Sequence, residues 1–122
     1  MENSLDTKGE DYYRMVAENY TKCKNLEHRQ AIEIPNYKML LERVNVADKD
    51  VIDLACGSGY YTRILRERVN SDHDVWGADI SENMIKIAKE MGPASITYLV
   101  QDCTEPLPDG KLFDVVSATF LL

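Results

Sequence analysis

Val51-Ile52-Asp53-Leu54-Ala55-Cys56-Gly57-Ser58-Gly59 is the stretch on which the reading of this chain turns. An apolar, β-type run carries one acidic residue and breaks into closely spaced glycines, and a helix-compatible segment, Tyr60 to Val69, follows. A buried parallel strand passes in this way through a tight turn into a helix whose N-terminus faces a ligand. Gly57 and Gly59 can take backbone angles closed to residues with a Cβ, and they leave room for a ligand against the main chain. Alone, the loop implies only a nucleotide-like ligand.

Working outward, Asp50 to Ala55 reads as the first strand. The helix after it turns Tyr61, Leu65 and Val69 inward and Arg63, Arg66 and Glu67 toward water. Val75 to Ile80 is the second strand. Ser81 is placed to cap a helix with an apolar stripe of Met84, Ile85, Ala88 and Met91, which Gly92-Pro93 ends. Ile96 to Val100 and Phe113 to Phe120 are the third and fourth strands, the last after a loop containing Pro106 and Pro108. On the N-terminal side, Asp11 to Lys22 reads as a helix with Tyr13, Val16, Ala17 and Tyr20 on one face. Pro35 suits a first helical position, with Tyr37, Leu40, Leu41 and Val44 as the stripe behind it. Strands alternating with helices predict an α/β fold, a parallel sheet built from right-handed crossovers. Residues 1–122 read as one domain, a helical segment over 1–46 and an α/β core over 47–122.

Composition narrows the partners. At 122 residues, 44% hydrophobic and 29% charged, the chain has material for a real core. A formal net charge of −7 argues against a nucleic-acid backbone as main partner, because phosphate contacts need clustered Lys and Arg. The polar, acidic start, Met1 to Asp11, is no secretory signal, and no apolar run approaches the roughly 18 to 20 residues that span a bilayer. Cys23, Cys56 and Cys103 lie far apart without metal-ligand spacing, as expected of reduced, buried and inert thiols in a cytoplasmic protein. His28 and His73 read as solvated, and no metal or nucleophile–base constellation appears.

Several motifs together resemble one family. Asp53-Leu54-Ala55-Cys56-Gly57-Ser58-Gly59 is similar to motif I, D-x-G-x-G-x-G, of the class I S-adenosylmethionine-dependent methyltransferases. Gly77 to Met84 is similar to the next motif; Gln101-Asp102-Cys103 with Leu107-Pro108, then Phe113-Asp114-Val115-Val116, resemble the third and fourth. Tyr13-x-x-x-Ala17-x-x-Tyr20 is similar to a tyrosine pattern that many small-molecule members carry upstream. Ala55 stands where the family most often has glycine, read here as a mild change.

The resemblance implies a Rossmann-like fold and S-adenosyl-L-methionine as cofactor, with S-adenosyl-L-homocysteine as product and a small-molecule methyl acceptor. Asp53 would hold the methionine end, or else brace the glycine turn through main-chain N–H groups. The backbone from Ala55 through Gly57 to Gly59 would line the cofactor, and Asp79 would accept from both ribose hydroxyls. Ile80 and Met84 would pack on the adenine, with Asp102 and Cys103 meeting its amino group and ring nitrogen. Tyr20, more than Tyr13, is placed to face the sulfonium. No catalytic residue is assigned.

Family members have a seven-stranded sheet, and four strands are counted here, so the chain reads as the cofactor-binding part of a longer enzyme. Phe113 to Phe120 then forms an unpaired apolar edge, open to a homodimer or a partner chain. A non-catalytic cofactor-binding subunit is the alternative. A nicotinamide-dependent Rossmann enzyme is the weaker one, since Thr62 fills the last position of G-x-G-x-x-G counted from Gly57.

Overall fold

The computed structural model describes residues 27–119. Helix α1 (Glu27–Val44) leads into β1 (Val51–Leu54), α2 (Tyr60–Arg68), β2 (Val75–Asp79), α3 (Glu82–Met91), β3 (Ile96–Val100) and β4 (Val115–Ser117), with a 3₁₀ turn at Pro108–Gly110. All four strands are parallel, in the order β3-β2-β1-β4. Val51 pairs with Val75 on one side and Val115 on the other, and Val75 pairs with Ile96. The expected α/β architecture is present, and the reversal of strand order beside β1 puts the glycine loop where open parallel sheets bind ligands.

Side-chain alternation divides the sheet into two faces. Val51, Val75, Ile96 and Tyr98 join Tyr37, Leu41, Ile64, Leu65, Ile85 and Ala88 from the three helices in one buried core. On the opposite face Ile52, Leu54, Phe113 and Val116 line an open groove of about 270 Å³, and Trp76 meets Phe113 edge-on at 5.2 Å. Val51 and Ile52, on opposite faces, are both buried, which is why β1 does not alternate apolar with polar, and Asp53 is buried as well.

Local signals place most boundaries. Ser81 caps α3 by accepting from the Met84 N–H at 3.2 Å, and Gly92, at φ 66°, stops it. Pro35 is different: it lies inside α1, which begins at Glu27, not at its first position. Its exposed place lets the helix lose one hydrogen bond while Ile34, Tyr37 and Leu41 keep it packed. The stripe is correspondingly narrower than expected, because Leu40 (54%) and Val44 (45%) are exposed, as is Met91 of α3.

β4 is a strand of three residues, shorter than the Phe113 to Phe120 strand expected, and Val116 is exposed on the open face. Its Val115 packs against the core. Among the described residues β4 pairs with β1 alone. The expected helix with Tyr13 and Tyr20, together with Cys23 and Phe120, lies outside the described residues.

Candidate functional site

Beyond β1 the chain turns through three residues of positive φ, Ala55 (53°), Gly57 (58°) and Gly59 (87°). Ala55 is therefore no mild replacement for glycine: a left-handed angle crowds its Cβ against the backbone, at a cost of roughly 1 kcal/mol. The loop is fixed to β2 by Cys56 N donating to Ala78 O at 3.0 Å. A Cβ on Gly59 would lie 2.2 Å from the Tyr98 hydroxyl, and one on Gly77 would lie 2.7 Å from the same ring. Tyr98, reaching from β3, thus sets how low the loop sits, and burial pushes its phenol up to about 12.

Asp79 ties the strand ends together. Its Oδ2 accepts from Gly57 N and its Oδ1 from Ser81 N, both at 2.9 Å, while its carbonyl accepts from Gln101 N at 2.9 Å. Each carboxylate oxygen accepts one of these bonds and has a lone pair left for a ligand. Asp102 Oδ1 accepts from Thr104 N (2.9 Å) and Thr104 Oγ1 (2.7 Å), and the backbone bond is the main reason its carboxyl stays below the usual range. Asp102 Oδ2 has no partner among the described residues.

Around these groups lies a hollow of about 170 Å³ walled by Ala55, Asp79, Ile80, Gln101, Asp102 and Cys103. Five of the residues expected at a cofactor site thus meet in one place, drawn from three strand ends. Gly57 joins them through its bond to Asp79, whereas Gly59 stands against Tyr98. Met84 is half-buried and does not line the hollow, while Ile80 is 70% exposed at its rim. Tyr20 lies outside the described residues.

Asp53 sits beneath the loop, 1% exposed. Among the described residues it does not brace the turn through main-chain N–H groups; its Oδ2 accepts from Thr62 Oγ1 at 2.7 Å, and its Oδ1 has no hydrogen-bond partner. Burial is the main reason its carboxyl is pushed up to about 6, with the Thr62 bond and then the nearby Ser117 hydroxyl opposing the rise.

Several side chains depart from expectation. Arg66 donates to the carbonyls of Val69, Asn70, His73 and Ser95 instead of facing water, and Arg63 donates to Ser58 O at 2.8 Å. His73 Nδ1 is 3.2 Å from Asp50 Oδ1 and half-buried, so it is not merely solvated. Cys56 is the expected buried thiol, pushed up by desolvation, but Cys103 is exposed because it belongs to the wall of the hollow. Thr62, Gln101 and Tyr98 were assigned no role from sequence. For Thr62 the available signal was a polar residue among the inward positions of α2; for Tyr98 it was strand alternation with Ile96.

With this geometry in view, comparison with known proteins is decisive. The methyltransferase-domain family matches residues 51–122. The chain belongs to that family. It is 33% identical over 89 residues to a demethylmenaquinone methyltransferase of Geobacillus stearothermophilus, across 68% of this chain and 38% of that protein. An S-adenosylmethionine-dependent methyltransferase from Mesorhizobium loti superposes with a TM-score of 0.57 at 33% identity, covering 70% of this chain and 38% of the other. A DhpI–SAH complex superposes at 0.58 and 29% identity, covering 89% and 50%. The chain spans less than half the length of the curated relatives it matches.

Proposed function

We propose that this chain is the cofactor-binding part of an S-adenosyl-L-methionine-dependent methyltransferase acting on a small molecule. The observation that carries the reading is the convergence of Ala55, Asp79, Ile80, Asp102 and Cys103 on one hollow beside a glycine loop. The residues present fit the cofactor. Asp79 retains acceptor capacity for two ribose hydroxyls, and Asp102 Oδ2 with the Cys103 main chain suits the adenine edge. Ile80 supplies exposed apolar surface for the ring. Gly57 and Gly59 keep the loop low, and Asp53 Oδ1 is a buried acceptor for a cationic amino-acid end. When bound, the cofactor supplies a methyl group on a sulfonium, open to in-line displacement by an acceptor. The chain's own work is to bind, orient and exclude water.

The acceptor class follows from relatives that act on small molecules, among them the demethylmenaquinone enzyme. Membership of the methyltransferase-domain family weighs against the nicotinamide reading. Residues 1–46 as a helical segment, Tyr20 at the sulfonium and a cytoplasmic location belong to the same proposal. Among the described residues no helix is long and apolar enough to cross a membrane. The free edge of β4 is proposed as the place where a second copy or another chain adds to the sheet.

Calorimetry tests the cofactor. S-adenosylhomocysteine should bind, and Asp79→Ala should weaken it by roughly 1 to 3 kcal/mol through loss of a charge-assisted acceptor. Tight NADH binding without a response to S-adenosylhomocysteine would refute the proposal. Equal titrations of wild type and variant would remove Asp79 from the ribose.

A further inference from the structure

We propose that Thr62 is a positioning residue: its hydroxyl holds Asp53 Oδ2, leaving Oδ1 as the buried carboxylate oxygen that meets the cationic amino-acid end of the ligand. The inference rests on the cofactor reading given above. Thr62 Oγ1 and Asp53 Oδ2 are 2.7 Å apart, and the two residues are 0% and 1% exposed. Thr62 lies in the first turn of α2, so this bond joins the strand before the glycine loop to the helix after it.

A helical threonine ordinarily has a competing acceptor in the carbonyl four residues back. Here that carbonyl, Ser58 O, already accepts from Arg63 Nη1 at 2.8 Å, and the threonine hydroxyl is given to Asp53 instead. On the other side of Asp53 stands Ser117, its register partner in β4. The Ser117 hydroxyl pairs with Tyr37 Oη at 3.0 Å; it stands close enough to Asp53 to favour the carboxylate, yet it makes no hydrogen bond to Oδ1. One oxygen is therefore held and the other has no hydrogen bond among the described residues. Without the Thr62 donor the carboxyl could rotate about its broad, roughly two-fold χ2, and neither oxygen would be fixed. A buried polar atom with no partner is uncommon in native proteins and calls for an explanation such as a ligand or water.

The test compares wild type with Thr62→Ser, Thr62→Cys and Thr62→Val in the full chain. Calorimetry uses S-adenosylhomocysteine and, separately, adenosine, which lacks the amino-acid end; carbon NMR follows the Asp53 carboxyl without ligand. Thr62→Val should weaken S-adenosylhomocysteine roughly 10- to 100-fold, and Thr62→Cys, a weak donor of similar size, by less. Thr62→Ser should stay within about threefold, because serine keeps the hydroxyl bond, and adenosine should change by less than about twofold in every variant, because it lacks the amino-acid end that Oδ1 meets. The Asp53 titration should move up by roughly one pH unit in Thr62→Val and stay in place in Thr62→Ser. Wild-type affinity in Thr62→Val, or in Thr62→Cys where the valine variant does not fold, overturns the inference and leaves the cofactor reading intact. So does equal loss of adenosine and S-adenosylhomocysteine, or an unmoved Asp53 titration. No binding of S-adenosylhomocysteine by wild type overturns both.

Discussion

At the N-terminal end of the sheet, Asp50, His73, Asp74 and Lys111 satisfy one another; at the C-terminal end, Asp53, Asp79 and Asp102 are left with acceptor capacity. Asp50 Oδ1 takes the Asp74 N–H at 2.8 Å and faces His73, and Lys111 bridges Asp74 at 2.7 Å and Asp50 at 3.6 Å. The backbone bond from Asp74 is the main reason the Asp50 carboxyl is held below its usual range. Burial drives Asp53 the opposite way. Both ends are rich in aspartate, and composition does not tell them apart. A closed set of partners ties strands together, whereas unspent acceptors in a hollow are suited to a ligand.

The comparison breaks most severely at Gly59. Gly59→Ala adds both a left-handed alanine and a clash with Tyr98, and should cost about 2 to 4 kcal/mol in urea denaturation. A loss below about 0.5 kcal/mol would mean that Tyr98 does not set the loop.

The two ends should also respond to pH with opposite sign. Asp53 has a folded pKa of about 6, above its ordinary 3.8, so the folded state favours the protonated form. Its contribution is full below about pH 4 and is lost as pH rises through about 6, on the order of 2 to 3 kcal/mol. Asp50, shifted down, contributes above the ordinary carboxylate range and loses that contribution as pH falls through its folded value. Thermal melts between about pH 3.5 and 7.5 should show Asp53→Asn abolishing the decline between pH 4 and 6. A variant with an unchanged slope would assign that decline elsewhere.

A smaller effect of opposite sign is expected at Ala55. Ala55→Gly relieves the 53° angle and should stabilise by about 1 kcal/mol, less the extra freedom of the unfolded chain. Destabilisation of that size would show that the methyl group packs usefully in the wall of the hollow. The least effect belongs to the closed end. Lys111→Met should lower the melting temperature slightly at low salt and not at all in about 0.5 M salt, as for an exposed ion pair. A loss that persists at high salt would make that end a structural lock.

Different parts of the molecule were legible to different degrees. Ser81 and Gly92 were readable because a cap and a stop act within one turn. Pro35 misled for the same reason: its local preference is for a helix start, and only the packing of Tyr37 and Leu41 carries α1 through it. Asp79 and Asp102 were legible as neighbours at the hollow because each stands at the C-terminal end of a strand, where a parallel sheet presents its ligand groups. Thr62 and Tyr98 were not, because their roles exist only across contacts with Asp53 and Gly59.

The order of strands and helices, the glycine turn and the two ends of α3 were determined by sequence alone, since each depends on periodicity or on a local cap or backbone angle that few residue types permit. Tertiary structure decided which polar groups are spent and which remain. Whether an aspartate is paired, buried or open depends on what neighbouring strands and helices bring within about 3 Å, and the chain order does not record that distance.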